Sequence, residues 1–490
     1  MKTCKSYKHA DQEIKESILL IQTRWLKIQR QLELLRNIWS SLDEEYQIHQ
    51  NSVLQVLHGK AQAAITLIDN LIGKPNDEAT VRSIMSKKGE ARRLKYALSV
   101  KSCLNSILID LKEWSEVFDV SWYLIVRLSS KELDQELGSI HTGVPALSTM
   151  KDLRVAINSK VNDQAINRST ILLPTSFFGD ERRILSQGSS ELWKGLEDNI
   201  EYLIDYPSSV SPLPDICKLA KILRKIEPFD FGILSCRGLM EGEAGNRLVF
   251  AVPSTLTDPQ YLRTLVLSPA ESYSLDDRFS LAKQLGKAVM FVHSAGFVHK
   301  NIRPETILVL RDQDTRSLWA FLTGFENFRL AEGKTQLQGD DEWEKNLYRH
   351  PTRQGIQPEE DYSMQHDIYS LGVCLLEIGV GRSLVWSSPG ETTLKPILEL
   401  SVTADASIRD RRKKAFETKR MLVRMSQEQL PPKMGHKYAD TVVTCLTCLD
   451  KTYNSFGDTK EFCDENGILV GVRFIEKVSV LRTKFPSFKG

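Results

Sequence analysis

Apolar residues in the first quarter of the chain recur at helical spacing. Ile14, Ile18, Ile21, Trp25, Ile28, Leu32, Leu35 and Trp39 follow one another at alternating steps of four and three. That spacing keeps one apolar seam on one face for about seven turns, the pattern of a bundle or coiled-coil helix. A second stripe, Val53, Leu57, Ala61, Ala64, Ile68 and Leu71, runs into the helix stop Gly73-Lys74-Pro75. A third passes through Leu94, Leu98, Leu104, Ile107, Leu111, Trp114 and Phe118. Long helices with short connections predict an all-α helical bundle over residues 1–128.

Between 129 and 175 the periodicity fades among Ser129-Ser130, Gly138, Gly143, Pro145 and Ser148, which predicts a linker or brace with one short helix near 152–161. From 176 to 256 the texture changes to apolar runs of strand length, such as 201–206 and 248–252, with turn residues between them. After Pro253 helical patterning returns. Ser274-Leu275-Asp276-Asp277 has the Ser-x-x-acid form of a helix start, and its helix continues through Phe279, Ala282, Leu285, Val289 and Val292 to a stop at Ser294-Ala295-Gly296.

Composition narrows the class. The chain has 490 residues, too many for one compact core. Lysine plus arginine (65) nearly balance aspartate plus glutamate (63), so no global field argues for a nucleic-acid partner. Eight cysteines are too few for a secreted disulfide framework and suit a reducing compartment. No run of about 18 apolar residues is present to span a bilayer. The polar opening MKTCKSYKHADQEIKES lacks a signal peptide's apolar segment. The expectation is a cytoplasmic, multidomain protein.

Four segments carry identity: VHSAGFVHKNIRPETIL at 292–308, FLTGFENF at 321–328, LYRHP at 347–351 and HDIYSLGVCLLEIG at 366–379. In that order and at those spacings they resemble the C-lobe of the protein kinase fold. The resemblance implies a two-lobed α+β half, with an N-lobe over 176–256 and a C-lobe over 257–490. In the family a loop H-R-D-L-x-x-x-N supplies the catalytic Asp and a magnesium-binding Asn, a D-F-G segment supplies the main metal ligand, and a strand V-A-I-K supplies the phosphate-pairing Lys. Here the loop reads from His299 to Thr306, with Asn301 in the base position and Thr306 in the place of the Asn. An amide cannot take a proton at neutral pH. Gly324 stands where D-F-G has its Asp, with Glu326 two residues on. Aligning the strand on Tyr202-Leu203-Ile204-Asp205-Tyr206 puts Pro207 in the lysine's place; Lys194 is the nearest alternative, and Gly188 and Gly195 are too far apart to cradle phosphates.

The positions retained are those that pack. His299 and Phe325 match interior side chains of the family, Asp367 matches the aspartate that anchors the catalytic loop's backbone, and Pro351 matches the proline of A-P-E. Ile368, Leu371, Leu375 and Ile378 would line the core face of the following helix. The resemblance therefore implies a pseudokinase. The alternatives are an active divergent ATP-dependent Ser/Thr-type kinase and an inert structural adaptor. No cofactor is expected, ATP and magnesium entering only with the first alternative, and no metal site is expected.

EARRLKYALSVKSCLNSILIDLKEWSEVF, residues 90–118, is similar to the third-helix region of HeLo domains of fungal heterokaryon-incompatibility proteins, with Tyr96-Ala97-Leu98 in place of their W-A-L-like triplet. The family's hydrophobic first helix has no counterpart before Ile14, where Lys2, Lys5 and Lys8 stand instead. The implied function is control of a HeLo-like effector by a pseudokinase in incompatibility or cell-death-type signalling. Its partners would be proteins, including further copies through the bundle. Lys87, Lys88, Arg92, Arg93 and Lys95 read first as a solvated charged face and second as a peripheral contact for anionic lipid. The basic run from Arg409 to Arg420 reads as an exposed loop and helix, and Cys445-x-x-Cys448 as buried cysteines on an apolar helix.

Overall fold

The computed structural model describes residues 170–450, apart from short internal stretches, together with isolated helical residues between 32 and 62. The chain divides into two compact units, Met1–Gly143 and Val144–Gly490. Apart from those isolated residues, the expected bundle, its basic cluster at 87–95 and the linker helix near 152–161 lie outside the described residues.

The second unit opens on five antiparallel strands: β1 (Phe178–Ile184), β2 (Glu191–Gly195), β3 (Glu201–Asp205), β4 (Ser235–Gly242) and β5 (Gly245–Ala251). Their order across the sheet is β1-β2-β3-β5-β4. Helix α1 (Leu213–Leu223) lies in the connection from β3 to β4 and buries one stripe, Ile216, Cys217, Leu219, Ala220, Ile222 and Leu223. That i, i+3, i+4 spacing is what makes it helical in a region of strand-length runs. Tyr202, Ile204, Met240 and Val249 form a core cluster of the sheet, with Leu173, Phe177, Phe178 and Trp193 packed against it. Residues upstream of 176 also join the sheet. Leu239 donates its N–H to Ile171 O at 2.7 Å and accepts from Leu173 N at 2.8 Å, and Leu172 bridges Leu239 in parallel. So short a run has no period of its own, which hides the pairing from the sequence.

The second set of elements begins with β6 (Leu256–Tyr261), which continues directly into α2 (Leu262–Leu267). Next comes α3 (Leu275–Ser294), with the expected cap: Asp277 N–H donates to Ser274 Oγ at 3.1 Å and the Asp277 carboxylate accepts from Ser274 N at 2.9 Å. Strands β7 (Phe297–Val298) and β10 (Arg329–Leu330) pair, and β8 (Ile307–Asp312) and β9 (Leu318–Leu322) complete a three-stranded sheet in the order β6-β8-β9. Helix α4 (Met364–Val380) is buried almost end to end, Ile368, Leu371, Leu375 and Ile378 included. Each such aliphatic side chain contributes about 1.5–3 kcal/mol of burial. It packs against α3 and against α6 (His436–Leu446), while α5 (Ile408–Gln429) carries the second basic run. Cys445 is buried and Cys448 half-buried, and both are free thiols.

Two helices and three connecting segments converge on one buried charge network. Arg263 of α2, 1% exposed, donates to Glu377 of α4 at 2.9 Å, to Ser383 Oγ at 2.5 Å and to Glu305 at 2.8 Å, and bonds the Tyr348 hydroxyl. Burial works against its charge, but Tyr348 and the carboxylates of Glu377 and Glu305 outweigh that and hold the guanidinium well above its ordinary pKa.

Candidate functional site

Two loops meet below β3: residues 299–306, between β7 and β8, and residues 323–328, between β9 and β10. The first is hung from α4. Asp367, in the first turn of α4 and fully buried, accepts the backbone N–H of His299 at 2.7 Å and of Lys300 at 2.9 Å, and the Tyr362 hydroxyl at 2.7 Å. His293 Nε2 lies 3.1 Å from the same carboxylate. Burial alone would raise this carboxyl's pKa; the His293 hydrogen bond, the charges of His293 and His299 and the Tyr362 hydroxyl bring it below the usual value. Lys300 needs the anchor, because its φ of 65° lies in the left-handed region that a lysine rarely takes.

His299 is buried against the Phe325 ring, centroids 4.8 Å apart, and burial lowers its pKa to about 4, so it is neutral at pH 7. Phe325, fully buried, also stacks on Phe250 of β5 with centroids 6.0 Å apart. Pro351 is buried in a short 3-10 turn. Beside it Lys419 Nζ lies 3.0 Å from His350 Nε2, and on the other side of the ring Nδ1 accepts the Thr352 N–H at 3.4 Å and lies 2.9 Å from Thr352 Oγ1. Burial, then the nearby Lys419 charge, pushes His350 down to about 2. A neutral histidine contact thus stands beside Pro351.

Asn301, Thr306 and Gly324 come together. The Asn301 amide is held between Arg303 Nε, which donates to Oδ1 at 3.0 Å, and Gly324 O, which accepts from Nδ2 at 3.4 Å. Thr306 Oγ1 donates to the Asn301 carbonyl at 2.6 Å. Gly324 has φ 76°, and a Cβ there would lie 2.5 Å from Thr306 Cγ2 and 2.8 Å from Thr306 Cβ. The threonine methyl occupies the space that any side chain at 324 would need.

Pro207 is not part of this constellation. Strand β3 ends at Asp205, two residues earlier, and the Asp205 side chain is the one that reaches the second loop. Its carboxylate, 1% exposed, accepts Gly324 N at 2.7 Å and Phe325 N at 3.3 Å, and bonds the Ser190 hydroxyl. Within 201–206 strand-length patterning alone does not mark the last paired residue; the ladder to β5 places Asp205 opposite Leu248 at the end of the strand, and Pro207 lies beyond it. An acid closing an otherwise buried strand is the signal the sequence offers. Burial raises the Asp205 pKa, and the neighbouring Glu326 charge adds to the rise. Lys194 lies in β2 and pairs with Glu181 at 3.2 Å on the surface.

The chemistry available here is limited. Position 301 holds an amide, position 324 no side chain, and the Asp205 carboxylate spends its lone pairs on backbone N–H groups and a hydroxyl. Helix α1, which follows β3, carries no glutamate. Among the described residues no group of His, Cys, Asp and Glu is placed to hold a metal ion. Nor is any described helix long and apolar enough to cross a membrane.

No family model matches the chain. Over 160 residues, 31% of its length, it is 24% identical to the serine/threonine-protein kinase Kist of Rattus norvegicus, covering 38% of that protein. Over 139 residues it is 30% identical to a probable cell division protein kinase of Encephalitozoon cuniculi, covering 41% of it. Kist of Homo sapiens is 25% identical over 134 residues, 32% of its length. The chain thus spans about two fifths or less of these relatives. The sheet-and-helix architecture of the second unit is compatible with theirs, and together the likeness and the fold support a protein kinase-like domain in this chain.

Proposed function

We propose that this domain is a pseudokinase: a two-lobed kinase-like module that receives a partner or a modification and transfers no phosphate. The observation that carries the reading is the collapse at Gly324, where the Thr306 methyl lies 2.5 Å from the position of a Cβ and Asp205 takes the backbone N–H groups of Gly324 and Phe325. Phosphoryl transfer depends on positioned metal, a β3 lysine and a base near the attacking hydroxyl. On this reading Asn301, Thr306, Gly324 and Asp205 stand in those places, and His299, Phe325, Pro351 and Asp367 keep the packing. Thermal melting of the full chain with ATP, with and without magnesium, tests it. No magnesium-dependent rise in Tm is expected. A rise seen only with magnesium favours the second reading, an active divergent kinase.

The N-terminal segment, by its apolar seam and its HeLo-like 90–118 stretch, would be the effector that this module restrains, in signalling of the fungal incompatibility or cell-death type. The seam from Ile14 to Trp39 suits packing within one chain or between copies equally. Ile21→Glu in the full chain should weaken self-association measured by light scattering; unchanged association contradicts that role for the seam.

A further inference from the structure

Tyr261 closes β6 and is fully buried. Its ring lies under the turn that joins β1 to β2: a Cβ added to Gly188 in that turn would sit 1.9 Å from Tyr261 Cε2 and 2.4 Å from Cδ2 and Cζ. No side chain beyond hydrogen fits at 188 while the ring stays there. Ser190, in the same turn, is 2% exposed and bonds Asp205, so the turn is tied down at the inner end of the same space. Burial, and then the Asp205 charge, raises the phenol's pKa, which agrees with a ring placed close to that carboxylate.

We propose that Tyr261 is a built-in occupant of the cleft between the β1–β2 turn and β6, so that the cleft is filled by the chain's own side chains until the ring leaves. This regulation of the site rests on its reading as a pseudokinase cleft. A phosphate-bearing ligand would have to displace the ring and then face Asp205 and Glu326. Once emptied, the cleft would therefore take an uncharged ring compound such as a nucleoside in preference to a polyphosphate.

The test is a double-mutant cycle on the full chain, read by thermal melting. Gly188→Ala should lower Tm by several degrees in the wild-type background and leave it nearly unchanged beside Tyr261→Ala, where the ring is gone. Adenosine should raise the Tm of Tyr261→Ala and not that of wild type, while ATP with magnesium should raise neither. Equal costs of Gly188→Ala in both backgrounds would overturn the proposal. So would a Tyr261→Ala protein that ignores adenosine, or a wild type stabilised by ATP with magnesium. If Tyr261→Ala does not fold, Tyr261→Leu keeps apolar volume and carries the same cycle. Phosphate incorporation catalysed by the wild type would instead end the pseudokinase reading, whatever the cycle gives.

Discussion

At the scale of single residues, the junction of the two loops shows how substitutions come to depend on one another. Gly324 is left-handed and faces a methyl at 2.5 Å, so restoring an aspartate there meets both backbone strain and overpacking. Gly324→Asp alone should cost about 2–4 kcal/mol of stability, and Thr306→Ser, which removes the methyl, should relieve part of that loss; urea unfolding of the two single variants and the double measures both. Asp205 makes the complementary case. Asp205→Ala strands two buried N–H groups at about 1–3 kcal/mol each. Asp205→Asn keeps an oxygen for them and presents its amide to Ser190, so it should cost far less. Equal losses in the two variants would contradict the Asp205 hydrogen bonds to Gly324 and Phe325. Positions 299–306 and 324–326 are legible in the sequence because each is one contiguous loop whose register cannot drift. Asp205 is harder to read: an acid closing the strand marks the position, but strand-length patterning alone does not say that its side chain meets the second loop.

Among elements, legibility follows the strength of local signals. The start of α3 is written in Ser274 and Asp277, and the core face of α4 in Ile368, Leu371, Leu375 and Ile378, since capping and periodicity are properties of neighbours in sequence. The strand-like pairing of residues 171–173 with β4, and the network around Arg263, join residues far apart in the chain and leave no such trace. That network ties α2, α4 and the loop carrying Glu305 together through a charge with no access to water. Arg263→Ala removes the cation and leaves Glu377 buried and unpaired, so it should destabilise by about 3–5 kcal/mol in chemical denaturation. Arg263→Met beside Glu377→Met, which removes both charges and keeps volume, should recover much of that loss. A double variant no better than Arg263→Ala would show that packing rather than charge holds these elements.

For the molecule as a whole, the buried histidines set the response to acid. His299 and His366 are lowered by burial to about 4, against an unfolded value near 6.5, so the unfolded chain binds protons first as the pH falls. Their contribution is complete above about 6.5 and is lost as the pH drops toward 4, roughly 2 kcal/mol for each by pH 5. Asp367, held below the usual carboxylate value, loses its contribution only at still lower pH, while Asp205, raised by burial, shifts the balance the opposite way. Urea midpoints should therefore fall steeply between pH 7 and 5, and His299→Gln should flatten the fall; a flat profile in the wild type contradicts neutral burial of these rings. Function at this scale turns on whether a domain that has kept a kinase-like frame still moves phosphate. The measurement that meets this most directly is incubation of the purified full chain with γ-labelled ATP, magnesium or manganese and generic protein substrates. No label is expected in the chain or the substrates above a no-protein blank. Incorporation that disappears with Glu326→Ala or Asn301→Ala would contradict it and place a working phosphotransfer site at the junction of the two loops.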